Sequence, residues 1–145
     1  MIVWVGTDLT EVARVARSIE RFGERFLERV YTAGEVAYCI RKKRSAESFA
    51  ARFAAKEAAA KALGTGISHG VSWREIEVRR EPTGRPTLLL SGRAAERAHA
   101  LGVTHIALSL THTRDLAHAL VVMEGSQGGA EFEPQRPLSA SIHKT

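Results

Sequence analysis

Residues 48–66 read SFAARFAAKEAAAKALGTG, and this alanine-rich stretch predicts the helix around which the rest of the chain folds. Alanine, glutamate, lysine and leucine are the residues with the highest helix propensities. Ser45 or Ser48 is a candidate N-cap, and Gly64 is placed to end the helix in a left-handed conformation. We therefore predict one long central helix that ends at Gly64.

Four residues of this helix, spaced four positions apart, form a row along one face, because residues at that spacing are neighbours on an α-helix. The row begins with two aromatic rings and continues with a carboxylate and an ammonium group, which places the two charges at the edge of buried surface. On this pattern alone the charges form either an exposed ion pair worth about 0.3–0.5 kcal/mol or part of a functional site. The row consists of Phe49, Phe53, Glu57 and Lys61.

The composition narrows the class of partner. The chain has 145 residues, of which 44% are hydrophobic, and this length suits one domain. Its net charge of +5 favours an anionic partner, such as nucleic acid, acidic lipid, a phosphate-rich ligand or an acidic protein. Aromatic residues make up only 6% and are not interleaved with the basic ones, which argues against single-stranded nucleic acid.

Cysteine content and hydropathy bear on the compartment. Cys39 is the only cysteine, so an intrachain disulfide is impossible and a reducing compartment is favoured. The first apolar run is too short for a signal peptide, and no stretch reaches the ~20 apolar residues of a membrane span. We expect a soluble cytoplasmic protein without a membrane partner.

The hydrophobic patterns predict an α+β domain over residues 1–124, with helices packed on one side of a mainly antiparallel sheet. Ile2–Val5 predicts a first strand, and Leu9–Val30 predicts helix with a break at Gly23. Residues 125–145 are rich in glycine, serine, proline and glutamine and predict a flexible tail. The other predicted elements are a helix that begins after Thr32 in a Thr-x-x-Glu capping box, strands at Val71–Arg80, Thr87–Leu90, Thr104–Thr111 and Leu116–Glu124, and a helix from Ser91 to Leu101.

Two basic features have two interpretations each. Four arginines recur at helical spacing, which indicates either a solvated helix face or a surface that binds an acidic protein. The run Arg41–Arg44 is either a solvated helix end or a site for a phosphate or an acidic partner. The recurring arginines are Arg14, Arg17, Arg21 and Arg25.

Two carboxylates are candidates for chemistry. Asp8 follows the first predicted strand, where Thr7 or Asp8 could instead cap the next helix, and Glu57 lies midway along the central helix. Mg²⁺ takes few protein carboxylates and completes its octahedron with water and substrate phosphates. Lys61, one turn beyond Glu57, could neutralise charge on those phosphates. Phosphoryl-type transfer requires mainly such positioning and neutralisation, so these three side chains are chemically sufficient for it.

Together these residues resemble the holo-acyl-carrier-protein synthase family of 4′-phosphopantetheinyl transferases. The likeness covers about residues 1–124, and the turn Gly84-Arg85-Pro86 fits it. Three blocks carry it: Gly6-Thr7-Asp8-Leu9, the central helix from Arg52 through Lys61 to Ile67, and Ser109-Leu110-Thr111-His112-Thr113.

The resemblance implies that 4′-phosphopantetheine passes from coenzyme A to a serine of an apo acyl carrier protein. The family reaction depends on Mg²⁺, releases adenosine 3′,5′-bisphosphate and serves fatty acid biosynthesis. By the family pattern Asp8 and Glu57 hold Mg²⁺, Glu57 is the base, directly or through a water, and Lys61 binds phosphate or assists proton transfer. The family forms homotrimers with sites between subunits. The implied coenzyme A contacts are Arg52, Lys56, Gly84, Arg85, Pro86, Thr111 and His112, and the implied carrier contacts are the four arginines of the stripe.

One position departs from the family pattern. Ala107 stands where many members have histidine, and His105, two residues earlier on the same strand face, either compensates for it or does not. A chain that keeps the fold without the activity is therefore one alternative. Another is a basic protein that binds nucleic acid through its arginines. We favour the transferase, with an acyl carrier protein and coenzyme A as partners and no nucleic acid.

Overall fold

The computed structural model describes residues 1–125, which form strands, α-helices and one 3₁₀ turn. Apart from Gly125, the predicted tail lies outside the described residues. In chain order the elements are β1 (Ile2–Glu11), α1 (Val12–Phe22), α2 (Glu24–Val30), α3 (Ala33–Ile40), α4 (Ser45–Leu63), a 3₁₀ turn (Trp73–Glu75), β2 (Ile76–Arg80), β3 (Pro86–Leu90), α5 (Gly92–Ala100), β4 (Val103–His112) and β5 (Leu116–Gly125).

The strands form two antiparallel sheets. One has three strands in the order β1-β5-β4, and the other is the hairpin of β2 and β3. Helix α4 packs against one face of the three-stranded sheet, and the opposite face carries exposed side chains such as Leu9 and Leu120. The predicted α+β fold, with antiparallel pairing and helices on one side, is confirmed.

Helix α4 owes its central position to its small side chains. Alanines from Ala50 to Ala62 are at most 3% exposed, so neighbouring backbones approach the helix closely. The helix ends at Gly64, whose φ of 77° is left-handed, as predicted. The predicted serine N-cap is wrong, because Arg44 occupies that position and Ser45 is already helical.

Strand β1 is longer than predicted. It runs to Glu11, since Asp8 pairs with Ala119 and Glu11 with Leu116 in the neighbouring strand. The prediction that β1 ends before Asp8 is therefore wrong, and neither Thr7 nor Asp8 caps α1. Pairing with β5 outweighs the local turn tendency of the Gly-Thr-Asp sequence.

Three other local predictions can be compared with the structure. The capping box of Thr32 and Glu35 is present, and Gly23 separates α1 from α2 with a φ of 56°. The strand predicted from Val71 begins only at Ile76, because the preceding residues form the 3₁₀ turn. Among the described residues no helix is both long and apolar enough to cross a membrane.

Candidate functional site

Asp8 is half-buried in β1 and is held from two sides. Its Oδ1 accepts a hydrogen bond from Lys61 Nζ at 3.0 Å, and its Oδ2 accepts one from Thr10 Oγ1 at 2.6 Å. Lys61 Nζ also donates to the carbonyl oxygen of Thr7 at 3.1 Å. The acid of β1 and the lysine of α4 thus form one polar cluster at the junction of sheet and helix.

Glu57 belongs to the same cluster. Burial raises the pKa of Glu57 above its usual value, and the nearby Asp8 carboxylate raises it further, while the cations of Lys61 and Arg14 act in the opposite direction. Glu57 lies one helical turn before Lys61 on α4, and Lys61 bonds to Asp8, so both acids lie near the same ammonium group. The structure therefore brings Asp8 of β1 to the end of α4 that carries Glu57 and Lys61, which the sequence had placed together on the central helix.

This donor set fits one kind of metal ion. Residues 1–125 contain no group of three or more histidine, cysteine, aspartate or glutamate side chains that could hold a metal ion alone. Two neighbouring carboxylates are instead what Mg²⁺ uses when water and substrate phosphates supply the other ligands. Burial, and after it the charge of Asp8, raises the pKa of Glu57, so a bound cation would stabilise its ionised form.

A second cluster is cationic and surrounds Tyr38. Arg52 Cζ lies 4.0 Å, Lys42 Nζ 4.7 Å and Arg80 Cζ 5.2 Å from the centroid of its ring. Although burial raises the pKa of Tyr38, the hydrogen bond from Lys42 and the charges of Arg80 and Arg52 hold it below its usual value. The local field of this cluster therefore favours negative charge.

Arg52 has an incompletely satisfied guanidinium group. The residue is 3% exposed, and its Nε is the one buried side-chain nitrogen or oxygen in residues 1–125 without a hydrogen-bond partner. A buried unpartnered donor is costly, and donors of this type are expected to have a partner. Arg52 therefore contributes a buried positive charge with an unused donor to the cluster around Tyr38. The sequence reasoning missed Tyr38 and Arg80, which gave no signal in the residue pattern.

Lys56 lies inside the protein, where it pairs with Glu35. It has no exposed surface, and its Nζ donates to Glu35 Oε1 at 2.7 Å and to the carbonyl oxygens of Trp73 and Ile76. Burial lowers its pKa, and the Glu35 carboxylate opposes that shift. All three ammonium donors are used inside the protein. The coenzyme A contact of Lys56 stays a prediction, and in this structure its ammonium group is paired with a buried carboxylate that the sequence did not reveal.

The remaining predicted ligand residues lie at exposed element ends. Thr111 and His112 end β4, and Gly84, Arg85 and Pro86 form the tip of the β2–β3 hairpin. His112 Nδ1 lies 3.5 Å from Oε2 of the buried residue Glu47 in α4. Ala107 and His105 both lie on the exposed face of β4, opposite Val122 and Glu124, so they share a face as predicted.

The arginine stripe is interrupted. Arg14, Arg17 and Arg21 are exposed on α1, whereas Arg25 lies beyond the break at Gly23 and belongs to α2. The predicted break at Gly23 therefore separates the first three arginines of the stripe from the fourth. Beside Arg14 a cavity of about 270 Å³ opens between α1, α2 and α4, with Phe26, Arg29, Phe53 and Trp73 among its lining residues.

Comparison with known proteins identifies relatives of this chain. A model of the 4′-phosphopantetheinyl transferase superfamily matches residues 4–121. The holo-[acyl-carrier-protein] synthases of Solibacter usitatus and Koribacter versatilis are 57% and 53% identical over 124 residues, covering 86% of this chain and 99% of each relative.

Solved structures of holo-[acyl-carrier-protein] synthases are also similar to this chain. The chain is similar to a holo-[acyl-carrier-protein] synthase from Neisseria meningitidis, with a TM-score of 0.77, 35% identity and coverage of 86% of this chain and 99% of that one. A Bacillus anthracis structure described as a complex with CoA (3′,5′-ADP) matches with a TM-score of 0.72 and 38% identity, over 87% and 99%.

The fold and the matched relatives define a class of transferase enzymes. The chain belongs to the 4′-phosphopantetheinyl transferase superfamily and, within it, to the holo-[acyl-carrier-protein] synthase family of enzymes.

Proposed function

We propose that this protein transfers 4′-phosphopantetheine from coenzyme A to a serine of an apo acyl carrier protein. The observation that carries the proposal is the cluster of Asp8, Glu57 and Lys61 where β1 meets α4. Structures of two relatives, from Bacillus anthracis and Helicobacter pylori, are described as complexes with coenzyme A or its nucleotide. The products are holo carrier protein and adenosine 3′,5′-bisphosphate.

The two carboxylates are the proposed ligands of Mg²⁺. When bound, the ion would neutralise charge on the coenzyme A diphosphate during transfer. Lys61 is half-exposed beside Asp8, so its ammonium group can bind the same phosphates. Thr10, which donates to Asp8 Oδ2, fixes the orientation of that carboxylate.

Glu57 is the proposed base. The carrier serine hydroxyl attacks the phosphorus that bears the pantetheine arm, the bond to the nucleotide phosphate breaks, and the serine proton goes to the Glu57 carboxylate, directly or through one water. Glu57 lies one helical turn before Lys61 on α4, so a base at this position is close to the phosphates that the Lys61 ammonium group can bind.

The nucleotide is proposed to bind at the cationic cluster. Arg52 supplies a buried donor without a hydrogen-bond partner. Two other cations, Lys42 and Arg80, lie around the same Tyr38 ring. These cations form no ion pair with a carboxylate of the described residues. Further coenzyme A contacts are proposed at the hairpin tip Gly84-Arg85-Pro86 and at Thr111 and His112.

The carrier is proposed to dock on α1 and α2. Carrier proteins of this reaction are acidic, and the exposed guanidinium groups on the two helices give a complementary positive surface. The cavity beside Arg14 lies next to this surface, and the charge of Arg14 lowers the pKa of Glu57. The proposed carrier contacts are Arg14, Arg17, Arg21 and Arg25.

A homotrimer with sites between subunits is also proposed. The face of the three-stranded sheet opposite α4 is uncovered in the single chain and carries exposed Val5, Leu9, Leu116 and Leu120. An apolar sheet face of this kind is typical of a subunit interface. We place the reaction in the cytoplasm, in fatty acid biosynthesis, in keeping with the free thiol of Cys39.

The proposed reaction is tested by mass spectrometry of an apo acyl carrier protein incubated with this protein, coenzyme A and Mg²⁺. The expected result is a carrier that gains the mass of one phosphopantetheine, with equimolar adenosine 3′,5′-bisphosphate. Omission of Mg²⁺ or addition of a chelator should prevent the gain. An unmodified carrier in the complete mixture would contradict the proposal, whereas salt-sensitive retention on DNA would favour the nucleic-acid alternative.

A further inference from the structure

Glu35 and Lys56 form an ion pair enclosed by the protein, one residue along α4 from Glu57. Both side chains are fully buried, with 2.7 Å between Lys56 Nζ and Glu35 Oε1. The same Nζ donates to the carbonyl oxygen of Ile76 at 2.6 Å and to that of Trp73 at 3.0 Å. The ammonium therefore binds the start of β2 and the 3₁₀ turn before it.

The carboxylate extends this network to a second strand position. Glu35 Oε2 accepts a hydrogen bond from the backbone N–H of Val78 at 2.9 Å, and Oε1 accepts one from Thr32 N at 2.9 Å. The pair consequently connects the beginning of α3, the middle of α4 and the first half of β2.

The position of the β2–β3 hairpin depends on these hydrogen bonds to its backbone. Its strands pair with each other and with no strand of the β1-β5-β4 sheet in the described chain. Packing of Ile76 and Val78 against α4 holds it by non-directional contacts, which do not fix a precise position. The bonds from Glu35 and Lys56 to backbone atoms are directional and do fix it.

We propose that Glu35 and Lys56 are positioning residues for coenzyme A. They hold the hairpin, with Arg80 and the Gly84-Arg85-Pro86 tip, at a set position relative to Glu57, so that the nucleotide end and the reacting diphosphate are bound together. This inference rests on the proposed function. Net stabilisation does not account for the pair, because buried ion pairs add little stability compared with apolar residues of similar volume.

The test uses a variant that releases the strand and keeps the side-chain volume. In Glu35→Gln the amide oxygen can still accept from Lys56, but the amide NH₂ then faces the Val78 N–H, and that bond is lost. Met123→Ala is the matched control, since Met123 is fully buried in β5 and makes none of these bonds. The second variant is Glu35→Leu/Lys56→Met, which is neutral, apolar and still able to pack, and which removes the whole network.

The expected readouts separate positioning from folding. Hydrogen exchange at the Val78 amide should accelerate in both Glu35 variants while amides of β1 and β5 keep their protection. The dissociation constant of coenzyme A, by calorimetry with Mg²⁺, should rise about tenfold, because a hairpin that is no longer held in place must be ordered when the ligand binds. KM for the carrier should stay unchanged, and kcat at saturating coenzyme A should stay within about twofold. Met123→Ala should leave coenzyme A affinity unchanged.

Two results would overturn the inference. One is unchanged coenzyme A affinity in a folded Glu35 variant whose Val78 amide exchanges faster. The other is an equal loss of coenzyme A affinity in Met123→Ala, which would mean that general destabilisation causes the effect. If the unaltered protein itself binds no coenzyme A, the proposed function fails as well, and this outcome is distinct from the other two.

Discussion

Gly6 in β1 lies against the carbonyl oxygen of Ala58 in α4 with no space for a Cβ atom between them. A Cβ on Gly6 would also lie 2.9 Å from the backbone nitrogen of Ala62. Asp8 is two residues from this contact and Glu57 is one residue from it. The close crossing of a strand and a helix therefore brings the two acids together.

Gly6→Ala should separate β1 from α4 and remove activity. The new methyl group overlaps backbone atoms that cannot move without shifting the helix, so we expect a loss of stability of about 1–3 kcal/mol and a large loss of transfer. The measurement is chemical unfolding together with the transfer assay. Gly34→Ala is the control, because its Cβ would meet atoms no closer than 3.9 Å. A fully active Gly6→Ala protein would show that the crossing does not position the site.

Glu57→Gln should stabilise the metal-free protein while it abolishes transfer. Because the folded-state pKa of Glu57 is raised, its contribution to stability is complete below the ordinary carboxyl pKa of about 4.3 and is lost as the pH rises through the folded value. Near neutral pH the ionised side chain therefore destabilises the fold, and the variant should melt at a higher temperature in calorimetry with chelator.

This stabilising effect should shrink as the pH falls, since protonated Glu57 and glutamine are both neutral. Glu20→Gln, at an exposed position of α1, is the control and should leave the melting temperature nearly unchanged at every pH. A melting difference for Glu57→Gln that is constant or grows toward acidic pH would contradict a raised pKa.

The two lysines of α4 should respond in opposite ways to replacement by methionine. Lys56→Met leaves the Glu35 carboxylate buried without its cation, which should cost about 3–5 kcal/mol of unfolding free energy. Lys61→Met breaks a half-exposed pair with Asp8 and should cost at most about 1 kcal/mol, yet transfer should be lost. Urea unfolding and the transfer assay measure both. A Lys56→Met protein as stable as the unaltered one would contradict a structural role for the buried pair of Lys56 and Glu35.

Charge reversal on α1 should weaken binding of the carrier and leave binding of coenzyme A unchanged. Arg17→Glu/Arg21→Glu replaces two exposed cations, so KM for the acidic carrier should rise about tenfold or more and should become less sensitive to salt. KM for coenzyme A should stay the same. Arg93→Glu on α5 changes charge at another exposed helix and should have little effect on either constant. An unchanged carrier KM in the α1 variant would place the docking surface elsewhere.

The sequence predicted the elements whose signals are local. The capping box of Thr32 and Glu35, the left-handed end at Gly64 and the break at Gly23 each depend on residues within one or two turns, and all three are present. The pairing of β1 beyond Val5 depends on β5, more than a hundred residues later, so the local pattern ended the strand too early.

The site was predictable only in part for the same reason. Spacing along α4 placed Glu57 and Lys61 on one face, and the structure adds Asp8 to them. In the sequence Lys56 looked as available for a ligand as Lys61 does. In the structure its ammonium group bonds to Glu35, which comes from another helix. The cations around Tyr38 come from α3, α4 and β2, and no sequence spacing connects them.

The most direct test of the central claim is a double-mutant cycle on Asp8 and Glu57. Transfer to the carrier is measured by mass spectrometry for Asp8→Asn, Glu57→Gln and the double variant, each checked for folding by circular dichroism. If the two acids act as one unit, each single variant loses nearly all activity and the double variant is no worse than the weaker single one. Full activity in either single variant, or losses that multiply in the double variant, would contradict the account.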